Sequence, residues 1–326
     1  MKEIGGYFEL EELTGKEYYP DLIHLNLGRT ALLFILEALH TNKLAVPYFL
    51  CDSVIETCKE AGVSLRYYNI TENFLPDPSF QIEADEYLYL VNYYGQLSDE
   101  TVLQMREQYD RIIADYTHSF FQPPCKTVPT LYSCRKYFGL PDGAYVYLPD
   151  TPTDLPLIQD VSSERMRHIL GRYEHSASDY YKDMLSTAHS FNHAPLLRMS
   201  RLTQNLLKAI PYDQVIEKRT ANSNLLHQHL AHKNLLQISV PKGAFCYPFL
   251  CNEGPALKKA LAQRKIFVPT YWSNVIDSMP QLSIEHHYAK NILPLPCDQR
   301  YSAEDMKYML DILEEEIKKL ENQDDK

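Results

Sequence analysis

The segment around Lys136 carries side chains that could bind an aldehyde covalently. A buried lysine beside another cation has a lowered pKa, and its neutral amine can attack a carbonyl carbon to give a Schiff base. Arg135 is such a neighbouring cation, and the Ser133 hydroxyl could donate to a phosphate. Taken alone, a lysine at this position is most often a solvated surface charge, so the interpretation depends on its surroundings.

Asp115 and His118 are a second candidate pair. The stretch "RIIAD" places the Asp115 carboxylate at the end of an apolar strand, where a charge is costly unless it is paired. This carboxylate could hold a protonated ring nitrogen, or it could cap a loop or pair with an arginine. His118 gains a functional meaning only if Asp115 has one.

The start of the helical segment 28–39 could bind an anion. Gly28, Arg29, Thr30 and Ala31 open this segment. Free backbone N–H groups at a helix N-terminus, together with the helix dipole, favour a negative ligand. An ordinary helix start would explain the same residues, because one glycine is a weak signal.

Strands and helices alternate in the predicted elements up to about residue 150. Apolar segments predict strands at 44–49, 64–70, 86–95, 110–117, 130–134 and 143–148. Periodicity and cap signals predict helices at 28–39, 53–62 and 98–109. This pattern is typical of an α/β protein with a mostly parallel sheet, in which ligands bind at the carboxyl ends of the strands. Asn92, Asp115 and Lys136 all follow such ends.

The pattern changes after a Pro-, Thr- and Asp-rich loop at 149–160. Helices are predicted at 176–192, 197–232, 254–265 and 302–323, and strands at 235–241, 245–251 and 265–272. Ser302 and Asp305 form a capping-box pattern before the last helix. We therefore expect an N-terminal segment (1–20), a large domain (21–205) and a smaller C-terminal domain (206–326).

Composition argues against several functional classes. A formal net charge of −11 does not suit a nucleic-acid-binding surface. The seven cysteines have no CxxC spacing, which predicts a reduced, cytoplasmic compartment and no zinc or other metal site. We expect no membrane span and no signal peptide, and the sequence has no GxGxxG or P-loop pattern.

In chain order, these motifs resemble those of the DegT/DnrJ/EryC1/StrS sugar aminotransferase family. Its members use pyridoxal 5′-phosphate (PLP) and have the aspartate aminotransferase fold, fold type I. The similar segments extend over nearly the whole chain, at 27–32, 46–62, 91–96, 114–120, 133–144 and 292–306. The resemblance implies a large, mostly parallel α/β domain and a smaller C-terminal α+β domain.

The resemblance also implies roles for the candidate residues. The helix start at 28–31 would hold the cofactor phosphate together with Ser133, and Asp115 would keep the ring nitrogen protonated. His118 and Asn92 would lie near the ring. Lys136 would form the Schiff base and then move a proton as base and acid.

Two positions depart from the family pattern. The aromatic residue that usually stacks on the ring is matched by Cys51, with Tyr48 and Phe49 nearby. The serine usually lies further from the lysine than Ser133 does, so Thr130 or Tyr132 could take its role.

The partners implied by the resemblance are a small-molecule amino donor such as glutamate, a keto-sugar or other small carbonyl acceptor, and a second copy of the chain that shares the active sites. The polar helices at 160–205 could contact the partner or the substrate, or could be a solvated face. Two other functions stay open. One is a different PLP reaction such as sugar dehydration, and the other is a binding protein that has lost the chemistry.

Overall fold

A computed structural model of the chain describes residues 4–149 and 157–324. In these residues, one sheet contains β1 (Ile23–Leu25), β2 (Lys43–Pro47), β3 (Ser64–Tyr68), β4 (Tyr87–Val91), β5 (Ile112–Asp115), β6 (Thr130–Ser133) and β7 (Ala144–Tyr147). A separate antiparallel pair is formed by β8 (Tyr247–Leu250) and β9 (Ile292–Leu295). The predicted loop at 149–160 lies largely outside the described residues.

The helices fall into two groups along the chain. Those that alternate with the strands are α1 (Gly28–Ala38), α2 (Asp52–Glu60) and α3 (Asp99–Tyr109). The later ones are α4 (Arg167–Glu174), α5 (Tyr181–Ser190), α6 (Arg201–Leu207), α7 (Tyr212–Leu230), α8 (Gly254–Gln263), α9 (Ser273–Ser278), α10 (Ile284–Asn291) and α11 (Ala303–Asp324). None of the described helices is long and apolar enough to cross a membrane.

The main sheet has the strand order β1-β7-β6-β5-β4-β2-β3. Strands β2 to β6 pair in parallel, and β7 runs antiparallel to both β6 and β1. The carboxyl ends of β2, β4, β5 and β6 therefore meet at one edge of the sheet. The predicted α/β fold with a mostly parallel sheet is confirmed.

Local sequence explains the elements that form this edge. All four residues of β5 are buried, as expected for a central strand with both faces covered. Helix α1 buries Ala31, Leu32 and Ile35 and contacts β6 and β7. Helix α3 begins after Ser98, whose side chain accepts a hydrogen bond from the Thr101 backbone N–H at 3.1 Å, as the N-cap signal predicted.

Several predictions for the later part of the chain are wrong. The segments 235–241 and 265–272 are not strands, and β8 pairs instead with β9, which was not predicted as a strand. Lys265 and Trp272 both have positive φ angles, so the second segment bends at each end. The predicted helix 197–232 is divided into α6 and α7, with Pro211 at the break. Proline has no backbone N–H to donate, so it does not fit inside a continuous helix.

A buried arginine connects the C-terminal part to the loop that follows Lys136. Arg219 on α7 donates to the backbone oxygens of Tyr137 at 3.1 Å and Ala244 at 2.9 Å, and its guanidinium lies 4.5 Å from the centroid of the Tyr137 ring. A second apolar core, built by α7, α8, α11, β8 and β9, lies in the C-terminal part. The predicted division between residues 205 and 206 stays a prediction.

Candidate active site

A cavity of about 290 Å³ lies at the carboxyl edge of the main sheet. Its walls include these predicted site residues: Gly28, Arg29, Cys51, Asp115, His118, Ser133 and Lys136. Small-molecule sites commonly start at about 300 Å³, so the cavity has room for one ring-sized ligand. Two open grooves of about 570 Å³ lie elsewhere, and neither contains the Asp115 and Lys136 pair.

Asp115 brings a carboxylate into the cavity without a charged partner. Its two oxygens accept hydrogen bonds from the Tyr89 hydroxyl and the Thr117 backbone N–H, both at 2.8 Å. Burial raises the pKa of Asp115, while these hydrogen bonds and the charge of Lys136 act in the opposite direction. No lysine or arginine of the described chain lies within ion-pair distance of it. A ligand cation could therefore take that place.

Lys136 offers a free amine on the same cavity. It ends a short 3₁₀ turn, Cys134–Lys136, that follows β6 directly. The side chain is accessible to water through the cavity that it lines, and its Nζ lies 5.3 Å from the centroid of the Tyr271 ring. Burial lowers the pKa of Lys136 and Arg135 lowers it further, against the opposing effect of Cys51 and Asp115. This downward shift raises the fraction of neutral, nucleophilic amine relative to an ordinary lysine.

The His118 ring lines the same cavity as Asp115 and Lys136. The ring is stacked on Phe245, with centroids 4.1 Å apart and an interplanar angle of 16°. Burial, and secondarily the charge of Lys136, hold the pKa of His118 well below its ordinary value. The imidazole is therefore neutral at physiological pH and cannot serve as a cation in the cavity.

One end of the cavity is positively charged. Gly28 at the start of α1 lies against Ser133, because a Cβ added to this glycine would be 3.7 Å from the Ser133 Cβ. No side chain caps the N-terminus of α1, so its backbone N–H groups are free to bind an anion. Arg29 and Arg135 line the same end, and the buried Nε of Arg135 has no hydrogen-bond partner.

Three predicted contact residues do not line the cavity. The Thr30 hydroxyl donates to the Asn26 side chain at 2.7 Å, and the Ala31 N–H donates to the Leu27 oxygen at 2.9 Å within the buried start of α1. The Asn92 side chain accepts from the Leu97 N–H at 2.8 Å and donates to Gln122 at 2.8 Å. The cofactor contacts of these residues stay predictions, and their side chains have other partners.

The alternatives for the ring-stacking and serine positions also lie away from the cavity. Tyr48 stacks on Tyr67 at 5.1 Å, and Phe49 is fully buried. The Thr130 hydroxyl donates to the Val128 oxygen, and the Tyr132 hydroxyl donates to the Gln122 oxygen, each at 2.9 Å. Cys51 and Ser133 are the members of these two sets that reach the cavity.

Sequence reasoning missed three aromatic residues of the cavity. Tyr89 shares a face of β4 with Val91, so the strand alternation could have identified it. Tyr271 and Trp272 come from the start of α9, far along the chain, and Trp272 has a left-handed backbone conformation. The single tryptophan of the chain was the only local signal for this pair.

Solved structures of several aminotransferases are similar to this fold. An aminotransferase named for DegT, DnrJ, EryC1 and StrS from Brucella abortus superposes with a TM-score of 0.64 at 14% identity, over 90% of this chain and 85% of that one. NtdA from Bacillus subtilis, with bound cofactor PMP, gives a TM-score of 0.64 at 16% identity, over 91% of this chain and 73% of that one. The chain has the fold of these aminotransferases.

A third match has the same fold. PseC of Helicobacter pylori, an aminotransferase involved in pseudoaminic acid biosynthesis, gives a TM-score of 0.59 at 14% identity over 90% of this chain and 86% of that one. No protein-family model and no curated protein sequence matches the chain. The fold-type prediction from the short motifs is confirmed, and identities this low carry no conclusion beyond the fold.

The pKa of His118 predicts a pH-dependent stability. The unfolded chain takes up a proton at His118 below about pH 6.5, and the folded chain does not, so stability falls as pH falls. In chemical denaturation, this effect should amount to about 1.4 kcal/mol between pH 7.5 and 5.5 and should disappear in His118→Gln. His229→Gln, on an exposed part of α7, is the control. An unchanged pH dependence in His118→Gln would contradict the buried neutral ring.

Proposed function

We propose that the protein is a PLP-dependent aminotransferase that acts on a keto-sugar or another small carbonyl acceptor. One observation carries the proposal: an unpaired buried carboxylate, a lysine with a lowered pKa and a basic end without carboxylates line a single cavity. The fold supports it, because several proteins that share this fold are named as aminotransferases, and one holds the cofactor PMP.

The side chains of the cavity fit PLP at three points. Gly28, Ser133 and Arg135 would hold the phosphate, Asp115 would face the protonated ring nitrogen, and Lys136 would bind the aldehyde carbon. The unpaired Nε of Arg135 and the unpaired Asp115 carboxylate are the groups that such a ligand would satisfy. When bound, PLP would supply an electron-accepting ring.

The protein's own residues then have separate tasks. Tyr89 and the Thr117 backbone orient Asp115, so that its carboxylate can keep a proton on the ring nitrogen. Lys136, released from the cofactor, would take a proton from the substrate carbon and return one as general acid. Tyr271 and Trp272 line the cavity from the C-terminal part, and their rings would exclude water from the part of the cavity that they border.

Replacing Lys136 tests the covalent bond to the cofactor. The visible absorption band of PLP-loaded protein should be lost in Lys136→Met, and borohydride should no longer fix cofactor mass to the peptide that contains residue 136. Lys126→Met, which changes an exposed lysine, should keep both signals. A wild-type protein that takes up no added PLP would contradict the proposal.

The amino donor separates transamination from the other open functions. Adding glutamate to PLP-loaded protein should remove the visible band and release one equivalent of 2-oxoglutarate. Dehydration of an added sugar, without release of 2-oxoglutarate from glutamate, would favour the other PLP reaction. A protein that binds PLP but reacts with neither would be the binding protein.

We further propose that the active protein is a homodimer with active sites at the subunit interface. The supporting observation is that three apolar side chains between residues 158 and 173, in and before α4, are exposed: Ile158, Val161 and Tyr173 are 76%, 81% and 90% exposed. Light scattering should give twice the mass of the chain, and Tyr173→Ser should weaken the dimer. Tyr308→Ser on α11 is the control. A wild-type monomer at micromolar concentration would contradict this arrangement.

A further inference from the structure

The first described residues form an N-terminal arm, residues 4–10, that holds three large apolar side chains in solvent. Ile4, Tyr7 and Phe8 are 97%, 99% and 97% exposed. Within the described chain, residues 4–10 take part in no hydrogen bond and no ion pair. Neighbouring exposed apolar side chains of this size are typical of a surface that another molecule covers. The arm therefore has the character of a binding segment.

The base of the arm is held on α6. The Leu13 backbone N–H donates to the Asn205 side chain at 2.8 Å, and that side chain donates to the Glu11 backbone oxygen at 2.9 Å. The Glu12 carboxylate lies 3.6 Å from the Lys208 Nζ. The exposed arm therefore starts from a fixed point on the surface of its own chain.

An apolar groove of about 570 Å³ lies beside the start of α7. Its apolar lining, by which we define the α7 groove, includes Phe138, Leu140, Met166, Leu206, Ile210 and Val215. Phe138, Leu140 and Val215 are buried and form the floor, whereas Leu206 and Ile210 are half-buried at the rim. Aromatic side chains that enter such apolar pockets contribute much of the binding energy of protein interfaces. The α7 groove thus suits an extended segment with aromatic residues.

The arm and the α7 groove also match in charge. Glu9 in the arm and Glu11 and Glu12 at its base are acidic. The charged residue that lines the groove is Lys218, and no aspartate or glutamate of the described chain lines it. Complementary charges at the edge of an apolar contact favour association and fix its orientation. This match is informative in a chain with a formal net charge of −11, because the average surface of such a chain repels an acidic segment.

The arm is too short to reach the floor of the groove in its own chain. Phe8 precedes Glu11 by three residues, and three extended residues span at most about 10 Å. Asn205, which holds Glu11, and Leu206, at the rim of the groove, project about 100° apart around a helix that is about 10–12 Å wide with its side chains. The path from the base of the arm to Val215 runs round this helix. A second copy of the chain is therefore the occupant that the geometry favours.

The groove borders the side of the molecule that we propose as the dimer interface. Met166, in its lining, lies between the exposed Val161 and Tyr173 along the chain. Gly139, also in the lining, lies against α4, since a Cβ added to this glycine would be 3.3 Å from the Ile169 side chain. A second copy that covers the exposed side chains in and before α4 would bring its own arm close to the groove.

We propose that each protomer of the homodimer binds its N-terminal arm in the α7 groove of the other, with Tyr7 and Phe8 on the apolar floor. Two-fold symmetry makes this exchange reciprocal, so one dimer contains two such contacts. The proposal rests on the homodimer proposed above and identifies the segment that forms it. Gly139 and Leu140 closely follow Lys136, so the arm would also support the loop after the proposed Schiff-base lysine.

Photo-crosslinking tests which groove the arm occupies. Phe8 is replaced by the photoreactive analogue p-benzoylphenylalanine, and this variant is mixed with heavy-isotope-labelled wild-type chain before irradiation. Mass spectrometry should find the variant's N-terminal peptide joined to a labelled peptide of the α7 groove, which contains Leu140 or Val215. The same analogue in place of Tyr308, an exposed residue of α11, is the control and should give no crosslink to the groove.

The dissociation constant of the dimer gives a second readout. Phe8→Ser should weaken the dimer about a hundredfold, because each of the two contacts loses a buried aromatic ring. The substitution changes an exposed side chain of the single chain, so its circular dichroism spectrum should stay that of the wild type. Leu206→Asp, at the rim of the groove, should weaken the dimer similarly by repelling the acidic arm, and Tyr308→Ser should not.

The outcomes separate this contact from the homodimer and from the catalytic proposal. A crosslink within one chain, a crosslink to another part of the second copy, or an unchanged dissociation constant in Phe8→Ser would overturn the arm exchange and leave the homodimer in place. A wild-type monomer would overturn both. The Lys136-dependent absorption band of PLP-loaded protein is measured separately, and its absence would overturn the aminotransferase and leave the arm exchange in place.

Discussion

Charged groups without a countercharge, one buried and two half-buried, are the constraint on which the rest of the site depends. Asp115 lies on one wall, Arg29 and Arg135 lie at one end, and the described chain gives none of them a countercharge. Burying an ionised group without a partner costs several kcal/mol, and proteins normally avoid it. In the proposed function, a ligand with a cationic ring nitrogen and a phosphate dianion would supply both missing charges, and its aldehyde would react with the Lys136 amine.

The register of the parallel strands and a short turn after β6 position Asp115 and Lys136. Asp115 ends β5 opposite Val91 of β4 and Leu131 of β6 in the sheet register, and all three residues line the cavity. Lys136 follows β6, the neighbour of β5, after one short turn, and it lines the same cavity as Asp115. Because the strands are parallel, residues that follow successive strands in the sequence lie close together at one edge of the sheet.

This local logic explains which parts of the molecule could be predicted. The apolar strands, the cap of α3 and the capping box before α11 are signals within a few residues, and each agrees with the structure. Tyr271, Trp272 and Arg219 contact residues that are distant in the sequence, and no local sequence pattern predicts such contacts. The strand predictions at 235–241 and 265–272 were wrong for a related reason, since β-branched and aromatic residues there pack without pairing in a sheet.

All seven cysteines are free, and the cytoplasmic location stays a prediction.

A crystal structure of the protein grown with PLP is the most direct test of how the charges are satisfied. We expect electron density continuous from the Lys136 Nζ to the cofactor, the ring nitrogen facing Asp115, and the phosphate between Gly28 and Arg135. An empty cavity at saturating PLP, or a cofactor joined to another lysine such as Lys258, would contradict the central claim.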